Sequence, residues 1–77
     1  MNKVRRKSIQ DIADQLEEVK SALEDIQCEE EACRDSIPEN LQGSAQYEAS
    51  DAACEALSSA VDNLEDIISS LSELAEA

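Results

Sequence analysis

The sequence predicts an all-α protein: an antiparallel hairpin of two long helices that dimerises into a four-helix bundle. Three observations predict it. Apolar residues recur at heptad spacing from residue 9 to 26, they recur in a new frame from residue 54 to 75, and the one Pro and one Gly of the chain both fall between the two runs. The residue menu agrees, since Ala, Glu, Leu, Ser, Asp and Ile dominate and aromatic content is limited to Tyr47. One domain spans residues 1–77, with helix one at about 5–35, a loop at 36–44 and helix two at about 45–76.

In the first segment Ile9, Ile12, Leu16, Val19, Leu23 and Ile26 are spaced alternately three and four apart. This assigns Ile9, Leu16 and Leu23 to position a, and Ile12, Val19 and Ile26 to position d. Continuing the frame places Glu30 at a, Cys33 at d and Ile37 at a. Glu30 interrupts the seam, and because an unpaired buried carboxylate is costly, its side chain is expected to reach the edge of the interface.

The break lies in residues 36–44. Pro38 disfavours helical geometry at Ile37, and Ser36 with Glu39 has the spacing of a capping box that starts a short new turn. Gly43 is expected to end that turn in the left-handed conformation, and Ser44 to cap the next helix.

In the second segment Cys54 and Leu57, Val61 and Leu64, and Ile68 and Leu71 occupy successive a and d pairs, with Ala75 at the next a. Ala53, Ala60, Ile67 and Leu74 add a line at g. Three apolar positions per heptad make a face wider than one partner helix covers. The predicted oligomer interface is therefore Leu57, Val61, Leu64, Ile67, Ile68, Leu71 and Leu74, and the predicted loop determinants are Pro38 and Gly43. A chain of this size buries a modest core, so self-association is also the expected source of added stability. A single bent helix in a larger coiled coil is the competing architecture.

Charge narrows the partners. The net charge is −13, and four of the six basic residues, Lys3, Arg5, Arg6 and Lys7, stand in the first seven positions. From Asp11 to Glu76 the surplus is 17 negative charges. Such a body repels nucleic acid and anionic membrane and suits a basic protein. Over a rod of roughly 45 Å this is about one charge per 2.6 Å, against about one per 1.7 Å for duplex DNA, so mimicry of DNA is the alternative function. The basic start has a structural use, because a hairpin places it beside Glu73, Glu76 and the negative end of helix two. No apolar run of signal-peptide or membrane-span length follows it, which predicts a cytoplasmic protein with reduced thiols.

Catalytic and metal chemistry find no support in the residues. The chain lacks His, its three Cys form no CxxC pair, and it has neither a phosphate-cradling Gly-rich loop nor a nucleophile with a base. No catalytic residue, cofactor or metal is predicted. Cys33 and Cys54 are expected in the core, and Cys28 exposed in acidic surroundings that dull a thiol. Tyr47, at a near the loop, is expected to close the end of the core.

The phrase Ile37-Pro-Glu-Asn-Leu-Gln-Gly-Ser44, with Tyr47-Glu48, the following Ala/Leu/Asp/Glu repeat and the basic opening Lys3-Val-Arg-Arg-Lys7, resembles a group of small acidic proteins encoded in prophages and mobile elements of low-GC bacteria. The resemblance covers nearly the whole chain and implies a phage or mobile-element context and a helical hairpin. It implies no catalytic residue. The expected function is a non-enzymatic protein–protein interaction module, a self-associating acidic hairpin. Inhibition of a nuclease, repressor or host defence protein by DNA mimicry is the alternative, and an oligomeric small-molecule sponge ranks third.

Overall fold

A computed structural model describes residues 2–77. It consists of α1 (Lys3–Asp35), a short 3-10 turn (Glu39–Leu41) and α2 (Ala45–Glu76), with no strand among the described residues. The helices pack side by side in a rod of 59 × 14 × 13 Å.

Three of the four helix ends have an identifiable cause. Asn2 caps α1, its Oδ1 accepting the Arg5 N–H at 2.8 Å, so the helix begins two residues before the expected position. Ser44 caps α2 as expected, accepting the Tyr47 N–H at 3.3 Å. At the end of α1 the Ser36 hydroxyl turns back and donates to the Ala32 carbonyl at 2.7 Å. The predicted capping box is therefore absent: Pro38, which has no side-chain cap bond to offer, precedes the 3-10 turn. Gly43 also departs from expectation, because no residue among those described has positive φ. The chain turns instead through 3-10-type bonds, Leu41 N–H to the Pro38 carbonyl at 2.8 Å and Ser44 N–H to the Leu41 carbonyl at 3.0 Å.

The seam between the helices differs from the predicted a/d pairing on one side only. On α2, Cys54, Val61 and Ile68 at a are buried, and Leu57, Leu64 and Leu71 at d are half-buried. On α1, Ile9, Leu16 and Leu23 at a also face inward, but their companions are Arg6, Ala13, Lys20, Gln27 and Arg34 at e. Ala13 is buried, and its small side chain permits close approach of α2. Lys20 lays its stem along the seam and sends its ammonium outward, toward Glu24 at 4.0 Å. Position d of α1 is outside the seam: Ile12, Val19, Ile26 and Cys33 are all exposed. Cys33 thus lies on the surface rather than in the predicted core.

Two polar contacts set the register near the loop. Ser50 Oγ donates to Glu30 Oε1 at 2.7 Å, so the carboxylate that interrupts the seam is half-buried and satisfied at its edge. Arg34 Nη1 donates to Asp51 Oδ1 at 2.9 Å, and its Nε reaches Asp35 at 3.3 Å. These bonds, to Asp35 first and Asp51 second, hold the guanidinium above its ordinary pKa.

Candidate interaction face

The rotation of α1 about its axis decides what the hairpin leaves uncovered. Around a helix, d and e lie about 50° to either side of a. With a and e turned to α2, position d of α1 projects to one side of the seam. On α2 the seam is a and d, which leaves g to one side. Because antiparallel helices wind in opposite senses when viewed along one direction, these two sides coincide, and d of α1 and g of α2 border the same face of the rod.

That face collects the exposed apolar residues. Ile12, Val19 and Ile26 are 50%, 49% and 49% exposed, and Ile67 and Leu74 are 48% and 44% exposed. They are five of the seven large apolar side chains that remain exposed among the described residues, the others being Val4 and Leu41. The flanking positions are nearly uncharged: Ser8, Gln15, Ala22 and Glu29 on α1, with Ala49, Ala56, Asn63 and Ser70 on α2. Across the rod, Glu17, Glu24 and Glu31 of α1 run beside Asp51 and Glu65 of α2. The hairpin is therefore apolar along one side and acidic along the other.

Of the predicted interface residues, only Ile67 and Leu74 stand on this face. Val61 and Ile68 are consumed within the hairpin, and Leu57, Leu64 and Leu71 are shared between its seam and the open side. Ile12, Val19 and Ile26 are the residues that sequence reasoning placed elsewhere. Pro38 and Gly43 lie in the exposed loop, with no atom within 4 Å of where a Cβ on Gly43 would stand. Tyr47 is half-buried at the loop end.

The cysteines divide between the surface and the seam. Cys28 and Cys33 are exposed and Cys54 is buried; burial pushes the Cys54 thiol up, with the Arg34 charge opposing. Among the described residues, no three His, Cys, Asp or Glu side chains gather where they could hold a metal ion. A depression at the start of α1 is lined by Lys3, Val4, Lys7, Ser8 and Asp11, all on one helix. None of Lys3, Arg5, Arg6 or Lys7 forms an ion pair with Glu73 or Glu76 among the described residues, so the expected neutralisation is not made by direct contact. Arg6 Nε is buried without a hydrogen-bond partner. No described helix is long and apolar enough to cross a membrane. No protein-family model matches the chain, and neither a curated protein nor a solved structure is detectably similar to it.

Proposed function

We propose that this chain is a non-enzymatic protein–protein interaction module, an acidic helical hairpin that self-associates through its apolar face and presents its acidic sides to a basic protein partner. The observation that carries the reading is the rotation of α1. Turning that helix by about 50° would have buried Ile12, Val19 and Ile26 against α2 and released the polar e residues to water. The observed rotation instead directs the a/d stripe of α1 midway between α2 and the open face. That is the direction of the axis in a four-helix bundle, where each helix has two neighbours. The thin core points the same way, since the only buried residues among those described are Ala13, Cys54, Val61 and Ile68.

Replacing Val19 or Ile67 by Glu tests this, because both side chains are half in water in the single hairpin and a charge there disturbs only an assembled face. Each variant is expected to remain helical by circular dichroism and to sediment as a monomer where the wild type is a dimer. A wild type that sediments as a compact monomer at high micromolar concentration overturns the proposal. A second reading, DNA mimicry, is favoured by the exposure of 16 of the 19 acids. Retention of nucleic-acid enzymes in a pull-down, with release by duplex DNA, would support it.

A further inference from the structure

Resting on self-association as proposed above, we infer that the two copies dock face to face and antiparallel, the loop end of one against the open end of the other. Two independent features of the face select this orientation over the one that brings both loops together.

The first is size. The bulky members of the α2 line, Ile67 and Leu74, lie toward the open end, and the small ones, Ala53 and Ala60, toward the loop. In the antiparallel arrangement α2 lies against α2 of its partner with direction reversed. Ala60 then meets Ile67, and Ala53 meets Leu74, so each small residue accepts a large one and the faces close at uniform depth. On α1 the same reversal sets Ile12 against Cys33 and Val19 against Ile26. With the loops together, α1 would instead lie against α2 of the partner, and Ile12 would meet Ile67 and Leu74 at the open end, large against large.

The second is charge. The loop end, residues 29–55, carries eight acids and only Arg34, whereas residues 1–8 and 70–77 at the open end carry four cations and two acids. Loops together would place the two most acidic regions side by side. The reversed arrangement sets each beside the partner's cluster of Lys3, Arg5, Arg6 and Lys7, which form no ion pair within their own hairpin among the described residues. The resulting bundle has two equivalent acidic flanks related by the two-fold axis.

The test separates orientation from association. Asn40→Cys, combined with Cys28→Ser and Cys33→Ser, carries one spin label at the loop of each copy, buried Cys54 being left in place. Sedimentation reports assembly, and pulsed dipolar spectroscopy reports the distance between loops. The expected result is a dimer with a loop separation approaching the 59 Å length of the rod. A dimer with loops closer than roughly 20 Å, about two helix diameters, overturns the orientation and leaves self-association standing. A wild-type monomer overturns both. Should the triple variant fail to dimerise while the wild type does, Ile12→Cys in the otherwise native chain decides the matter under mild oxidation. A disulfide to Cys33 of the partner subunit, mapped by peptide mass, supports the antiparallel bundle, and its absence from an oxidised dimer overturns it.

Discussion

Cys54 shows how position within the seam changes the chemistry of an otherwise ordinary side chain. It is buried at a of α2, and desolvation raises its thiol pKa more than the nearby Arg34 lowers it. A raised folded pKa means that the neutral thiol is favoured in the fold. Its contribution to stability is present below the unfolded value and is lost as pH rises through the folded one, so it appears only as a weakening in the alkaline range. At pH 8 a thiol-exchange reagent should titrate Cys28 and Cys33 rapidly in the native protein and Cys54 only after denaturation. Three equally fast thiols would show that the seam opens freely. Heptad position alone predicted the burial of Cys54 correctly and that of Cys33 incorrectly. The difference is that a faces inward on both helices, whereas d does so only on α2.

At the scale of the elements, both helices and the break between them follow from local chemistry. Asn2, Ser36 and Ser44 all act through side-chain bonds to backbone groups within four residues, which is why the boundaries lie close to those expected from sequence. The loop contains the error. A Gly after a short turn suggests left-handed φ, yet the 3-10 bonds of residues 38–44 close the chain without it. Gly43→Ala should therefore be tolerated and should raise stability by about 0.5 kcal/mol, because the unfolded chain loses freedom and the new Cβ meets no atom within 4 Å. Thermal melts of the two proteins check this. A loss of 1 kcal/mol or more would indicate a strained position.

For the whole molecule, the dominant long-range term is self-repulsion. Nineteen acids against six bases give a net charge of −13, and only three ion pairs occur among the described residues. Two of these share Arg34, and Lys20–Glu24 is an i,i+4 surface pair, so local pairing compensates little of the excess. Raising the salt concentration at pH 7 from about 0.01 M to 0.15 M shortens the screening length from about 30 Å to 8 Å, less than the rod is long. Relief of about 1 kcal/mol corresponds to a rise in melting temperature of about 4–8 °C. A melting temperature that ignores salt would show that the acidic charge is compensated.

What the sequence determined by itself was the set of local events: two helices, where they begin and end, the connection that folds one back on the other, and the apolar a positions that hold them together. Helical spacing and capping act over a few residues and are legible in the order of side chains. What only the tertiary structure decided was the rotation of α1. Its heptad has apolar residues on one side of a and long amphipathic residues on the other. Both can cover a neighbouring helix, so spacing alone does not choose between them. The fold turned Arg6, Ala13, Lys20, Gln27 and Arg34 toward α2 and left Ile12, Val19 and Ile26 on the same side of the rod as Ile67 and Leu74. A line of exposed residues on each helix became one face because the helices run antiparallel. That relation exists between two axes in space, and no single stretch of the chain encodes it.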